Sequence, residues 1–230
     1  MSMQSLRLLL SCAALLMALF VHSRAYTAEP RFTEPFGLTT EAAKEGPWWL
    51  IWNRLQSQML TEAPVIARCY GEPAACSSSA GEKFAAILKE GEGKQGIVRI
   101  AHINRAVNLS FRFKEGTPWS SPLETLSKGI GDCKHYALIK YAALNISGWK
   151  LEDLQIVMVK IKSAQVRHMV LAVREDGRWL ILDNRTSEVV NSTDLGAYEP
   201  LYVFDYRGMR QFVVSGAPQI ADAACHRLTG

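Results

Sequence analysis

Apolar positions recur at helical spacing through the first half of the chain and give way to strand-like runs in the second. Trp48, Trp52, Leu55 and Met59 fall on one helix face after Pro47, which predicts an amphipathic helix over 47–59 with that stripe in the core. Residues 82–89 and 96–107 predict two more helices, the second carrying Ile97, Ile100, Ile103 and Val107. Phe111-Arg112-Phe113 reads as a short strand, Pro118 to Pro122 as a rigid connector around Trp119, and Gly129 with Gly131 as a flexible turn. Asp132 is a good helix N-cap, and Ala137, Tyr141 and Leu144 predict a helix over 134–145, ended by Ser147-Gly148.

Beyond Leu154 the periodicity changes. Residues 155–161, 167–173 and 178–183 are short apolar runs, the last two separated by the hairpin signal Glu175-Asp176-Gly177, and 201–206 adds a fourth. Short connections between consecutive strands imply an antiparallel sheet. Helices first and strands afterwards predict an α+β fold, with N-terminal helices and the 134–145 helix packed on that sheet.

The ends carry different information. Residues 1–25 read as a secretory signal: Arg7 supplies a basic start, 8–21 an apolar stretch, and Ser23-Arg24-Ala25 a small-x-small cleavage site. That stretch is short of the roughly 20 residues of a membrane span, although an uncleaved anchor is the alternative; either implies export to the periplasm or beyond. Residues 26–46 form an extended or loosely packed lead, 47–210 a single catalytic domain, and 211–230 a polar tail. Removing Arg7 and Arg24 from a net charge of +4 leaves about +2, too mild to predict binding to nucleic acid or a membrane surface.

Cysteine usage fits export. Cys69 and Cys76 flank a turn-rich segment and are expected to pair, or else to be two free thiols in a polar loop; Cys225 lies in the tail, and Cys12 is set too early in the apolar run for lipidation. Cys133 remains for chemistry. It directly follows the candidate N-cap Asp132, where a helix N-terminus favours thiolate. His168, inside an apolar strand, is the candidate base, and Asp183, ending the next strand, could reach its Nδ1 and hold the ring. That combination predicts nucleophilic acyl transfer through a thioester. His135 is a competing base, but two residues along a helix it should face away from Cys133. A zinc site from Cys133, His135, His168 and Asp183 lacks paired ligand spacing.

Trp119-Ser120-Ser121-Pro122-Leu123-Glu124-Thr125-Leu126, Gly131-Asp132-Cys133, His168-Met169-Val170-Leu171 and Leu182-Asp183-Asn184 together resemble the bacterial transglutaminase-like cysteine proteinases, over roughly residues 48–206. The resemblance implies a papain-like or transglutaminase-like fold, a Cys133, His168, Asp183 triad, and positions near the site for Trp119 and Asn184. It implies a periplasmic protease acting on an exported protein such as a surface adhesin, under a membrane receptor. Calcium-dependent members carry acidic residues on both sides of the nucleophile. Here Asp132 is kept, but Lys134 and His135 stand in the next two positions, and an ammonium cannot ligate a hard cation. The expectation is therefore no cofactor and no calcium. A transglutaminase or amidase using the same thioester, and a non-catalytic binding protein on the same fold, are the competing readings.

Overall fold

The computed structural model describes residues 34–213. The signal reading at 1–25, Cys12, Cys225 and the tail from 214 onward lie outside the described residues. In chain order the elements are β1 (Thr40–Ala42), α1 (Pro47–Gly71), α2 (Ser79–Glu90), α3 (Gly96–Leu109), β2 (Arg112–Phe113), α4 (Pro122–Lys128), β3 (Ile130–Gly131) and α5 (Cys133–Ile146). Then follow β4 (Leu154–Ile161), β5 (Val166–Glu175), β6 (Arg178–Leu182), β7 (Val189–Asn191), β8 (Tyr198–Asp205) and β9 (Gly208–Phe212). Seven strands form one antiparallel sheet in the order β1-β9-β8-β4-β5-β6-β7. The α+β reading holds, and the four expected strands appear with ends shifted by at most three residues.

The differences have local causes. α1 runs well past Met59 to Gly71, through Pro64. A proline removes one intrahelical hydrogen bond, but Pro64 faces solvent while Ile66 and Cys69 beyond it are buried, so packing carries the helix on. Cys69 is joined to Cys76 by a disulfide. Gly81 in α2 lies so close that a Cβ there would meet the Cys69 Sγ at 2.6 Å. The rigid connector continues into α4, whose N-cap Ser121 accepts a hydrogen bond from Glu124 N. The expected flexible turn is ordered: Gly129 caps α4 in the left-handed region (φ 65°), and Ile130–Gly131 pairs in parallel with Arg112–Phe113.

The sheet is buried on both faces. Helices cover one, where Trp52, Phe84, Ile100, Leu138, Ile156, Leu171 and Leu182 share a core. Val157, Val159, Val170, Ala172, Ile181 and Val203 form a second core on the opposite face, with Phe36 and Leu38 against it. The chain before β1 and the chain after β7, at the two edges of the sheet, are tied by the Phe36 N–H donating to Ser192 Oγ at 3.0 Å. The sheet therefore curls around its second core. In the described part of the lead, Glu34 accepts from Gln155 Nε2 at 2.5 Å, Arg210 Nη1 at 2.5 Å and Arg207 Nη2 at 3.1 Å.

α5 is the central helix. It packs on β4 and β5, with α2, α3 and α4 against its other sides, and every residue from Tyr136 to Leu144 is buried. A helix enclosed on all sides needs apolar residues around its whole circumference, which is why its sequence shows no sharp polar face. No helix among the described residues is long and apolar enough to cross a membrane.

Candidate active site

Cys133 is the first residue of α5 and Asp132 its N-cap, as the sequence reading has them. The chain reaches this point through β3. At Gly131 a Cβ would lie 2.8 Å from both His135 Cβ and the Phe111 ring, so the approach of β3 to the helix start requires glycine. His135 is fully buried and locked. Its Nε2 donates to Pro118 O at 3.0 Å, and its Nδ1 stands 3.0 Å from the Asp132 N–H and from Asp132 Oδ1. With both ring nitrogens engaged in positioning the helix start, His135 is not placed to serve as a base. Cys133 is itself buried, and the chemistry below is that of its thiol.

Asp132 is charged and neutralised from within the chain. Lys134 Nζ lies 2.5 Å from Oδ2, and His135 approaches Oδ1. Burial alone would raise the Asp132 pKa, but the His135 hydrogen bond and the Lys134 charge outweigh it and hold it below the usual range. Lys134 also lies over the Trp119 ring, 5.6 Å from its centroid, and Trp119 meets Trp48 edge-on at 6.1 Å. Trp119 is thus a partly buried wall beside the start of α5.

His168 and Asp183 are brought together. The β5–β6 register pairs Leu171 with Leu182, which puts Asp183 diagonally across from His168 and on the same face. His168 Nε2 lies 2.8 Å from Asp183 Oδ1, both side chains nearly buried. The expected contact was at Nδ1. The diagonal offset explains the difference: the carboxylate reaches the far nitrogen of the ring and leaves Nδ1 pointing elsewhere. By strand alternation the pair shares the parity of Val170, Ala172 and Ile181, whereas Cys133 packs in the helix-side core with Met169 and Leu182.

Asp183 is the most heavily contacted carboxylate of the site. It accepts from Arg185 N at 2.9 Å, Arg185 Nε at 3.2 Å and the Tyr198 hydroxyl at 2.5 Å, besides His168. Burial pushes its pKa up, yet His168, Arg185 and Tyr198 together hold it far below the ordinary carboxylate range. From α3, Asn108 Nδ2 donates to the carbonyls of Asp183 at 3.0 Å and Thr186 at 2.9 Å, and Asn104 Nδ2 donates to Ser187 O at 3.2 Å. The next residue, Asn184, has its Oδ1 buried without a hydrogen bond.

Sequence reasoning missed Arg185, Tyr198 and the Asn104/Asn108 clamp. Only the last left a trace, since a fully buried asparagine interrupts the apolar stripe of Ile100, Ile103 and Val107. Of the residues of the zinc reading, His135 pairs with Asp132 while His168 pairs with Asp183. Among the described residues no group of three or more His, Cys, Asp or Glu side chains stands where it could hold a metal ion.

Residues 58–201, which include Cys133, His168 and Asp183, match the family described as bacterial transglutaminase-like cysteine proteinase, BTLCP. Legionella pneumophila LapG is similar in structure, with a TM-score of 0.52 at 20% identity over 70% of this chain and 87% of that one. Its calcium-bound form gives the same values, and its EGTA-treated form the same except for 84% coverage of that chain. At this identity the likeness supports the shared fold. No curated protein matches the chain. With the family match spanning more than half of its length, the chain belongs to the bacterial transglutaminase-like cysteine proteinases and is a cysteine peptidase of that type.

Proposed function

We propose that the chain is an exported cysteine endopeptidase in which Cys133 is the nucleophile, His168 the base and Asp183 the group that orients it. The observations that support this reading are the buried His168–Asp183 pair and the position of Cys133 as the first residue of helix α5. With Nε2 committed to Asp183, Nδ1 is the nitrogen that takes the thiol proton. The helix N-terminus favours the thiolate that results. The thiolate attacks a peptide carbonyl, and backbone N–H groups at the start of α5 receive the oxyanion, with Trp119 and Asn184 lining the approach. His168 gives its proton to the departing amine, leaving a thioester. It then takes a proton from water, whose oxygen attacks the thioester and releases the carboxylic acid and Cys133.

The substrate is a protein, and the export signal read at 1–25 favours an exported or cell-surface one such as an adhesin, with a membrane receptor as regulator. Incubating the reduced protein with exported proteins of its own organism and sequencing new N-termini tests the reading. Discrete new termini that vanish with Cys133→Ala support it. Ammonia release without new termini would instead mark a transamidase or amidase, and neither product would leave a binding protein.

LapG has been solved with calcium and after EGTA treatment. The residues here do not fit such an ion. Asp132, the acidic neighbour of the nucleophile, is fully buried with one oxygen against Lys134 and the other against His135. A cation would have to displace an ammonium already 2.5 Å from the carboxylate and then find its remaining oxygen ligands beside that ammonium, where Ca²⁺ needs six to eight. We therefore infer activity without calcium. Calorimetric titration with Ca²⁺ is expected to show no heat that depends on Asp132, and EGTA no loss of activity. Tight binding abolished by Asp132→Ala would overturn this.

A further inference from the structure

The end of α3 touches both halves of the site. Asn104 and Asn108, one helical turn apart and so on one face of α3, turn their amides toward the segment between β6 and β7. Asn108 Nδ2 donates to Asp183 O at 3.0 Å and to Thr186 O at 2.9 Å, and Asn104 Nδ2 donates to Ser187 O at 3.2 Å. Just beyond Asn108, Phe111 meets the helix that carries the nucleophile. Its ring stacks on Tyr136 with centroids 4.1 Å apart, and its carbonyl accepts from the Tyr136 hydroxyl at 2.9 Å. The same ring closes on Gly131, the residue before the Asp132 cap. Phe111 and Tyr136 are both buried, and Tyr136 lies in the first turn of α5 with Cys133. The stretch 108–111 therefore holds the main chain of Asp183 at one end and the start of α5 at the other.

We propose that Asn108 is a positioning residue for the triad: by fixing the Asp183 main chain from a stretch that also grips the first turn of α5, it sets the carboxylate against His168 and the pair relative to Cys133. The proposal rests on the triad reading above. The Asp183 carboxylate is held by His168 of β5, Tyr198 of β8 and Arg185 of its own segment. Those bonds orient the carboxylate once its backbone is in place, but none of them comes from α5 or from the chain packed on its start. Asparagine suits the position because its NH₂ group has two donors that serve two carbonyls at once. An aspartate would set a carboxylate against both carbonyls, and an alanine would offer neither a donor. Ser187 and Glu188 are exposed, so water can reach the segment when the amide is removed. The loss of Asn108 accordingly falls on the precision of the site rather than on folding.

The test is NMR of the protein labelled with nitrogen-15 histidine at neutral pH, with iodoacetamide alkylation of Cys133 measured alongside under reducing conditions. In the wild type His168 is expected to carry its proton on Nε2, with a downfield N–H signal from the bond to Asp183 that is lost in Asp183→Ala. Asn108→Ala and Asn108→Asp, the second of equal size but without donors, are expected to keep the wild-type circular dichroism and to weaken that signal. Each should slow alkylation about tenfold, within the roughly 100-fold that a misplacement of about 1 Å can cost. Asn104→Ala, whose bond goes to Ser187 further from Asp183, should slow it no more than about threefold on the same scale. Tyr136→Phe cuts the other end of the connection and should slow alkylation while the His168 signal stays. Wild-type signal and rate in both Asn108 variants overturn the proposal, as does a wild-type rate in Tyr136→Phe. A slow Asn108→Ala beside a normal Asn108→Asp would mark packing alone, and an Asn104→Ala as slow as Asn108→Ala would mark a general loosening of the segment; either overturns it. Survival of the downfield signal in Asp183→Ala would bring down the His168–Asp183 pairing and the triad reading with it. A signal lost there but unmoved by the Asn108 variants removes only the role of Asn108.

Discussion

His168→Ala is expected to lower turnover by about 10⁴-fold while leaving the fold intact. A positioned general base contributes up to roughly that factor, and here the same ring is also the proton donor to the leaving amine, so both halves of the reaction lose their carrier. The fold should survive because the partner left behind is not orphaned. Asp183 keeps its bonds from Arg185 and Tyr198, and the vacated volume borders a core already filled by Val159, Val170 and Tyr198. Turnover on the substrate found by N-terminal sequencing, together with circular dichroism, checks both halves of the expectation. A variant that is folded and retains activity within tenfold of the wild type would rule out His168 as the base.

How much of this was legible in the chain depends on how local each determinant is. The strands announced themselves because they are buried on both faces, and the curl of the sheet, which ties Phe36 to Ser192, is what made the alternation on β4 and β5 disappear into continuous apolar runs. Cys133, Asp132, His168 and Asp183 were legible because each occupies a position with a local signature, a helix start or an apolar strand. The ring nitrogen that meets Asp183 was not, since it follows from the diagonal offset between β5 and β6, a property of register rather than composition. α1 was read only to Met59, where its aromatic and apolar stripe was traced, while the burial of Ile66 and Cys69 that carries it on through Pro64 is tertiary. Lys134 and His135 were read as the loss of acidic ligands. In three dimensions they are the groups that neutralise Asp132, which turns an absence into a positive structural role.

Asp183 carries the other large effect, on stability and catalysis together. Asp183→Ala is expected to cost about 3 kcal/mol, at the low end for breaking a buried ion pair because the Arg185 left behind is partly solvated, at 28% side-chain exposure. Tyr198 would lose the acceptor of its hydroxyl inside the second core. Urea unfolding near neutral pH measures this. The pH dependence follows from the depressed pKa of Asp183 in the fold. Its stabilisation is fully present above the unfolded carboxylate value of about 4 and is lost as acid carries the pH down toward the folded value, because there the unfolded chain binds the proton first. The gap between wild type and Asp183→Ala should accordingly narrow in acid and stay constant from about pH 5 to 8. Asp183→Asn separates the two roles. It keeps the shape and an acceptor oxygen for Arg185 or Tyr198, so it should unfold closer to the wild type, yet without the carboxylate charge nothing stabilises the imidazolium or fixes its tautomer, and turnover should fall by about 10⁴-fold as for a mis-set triad histidine. An Asp183→Asn protein as active as the wild type would assign the carboxylate to stability alone.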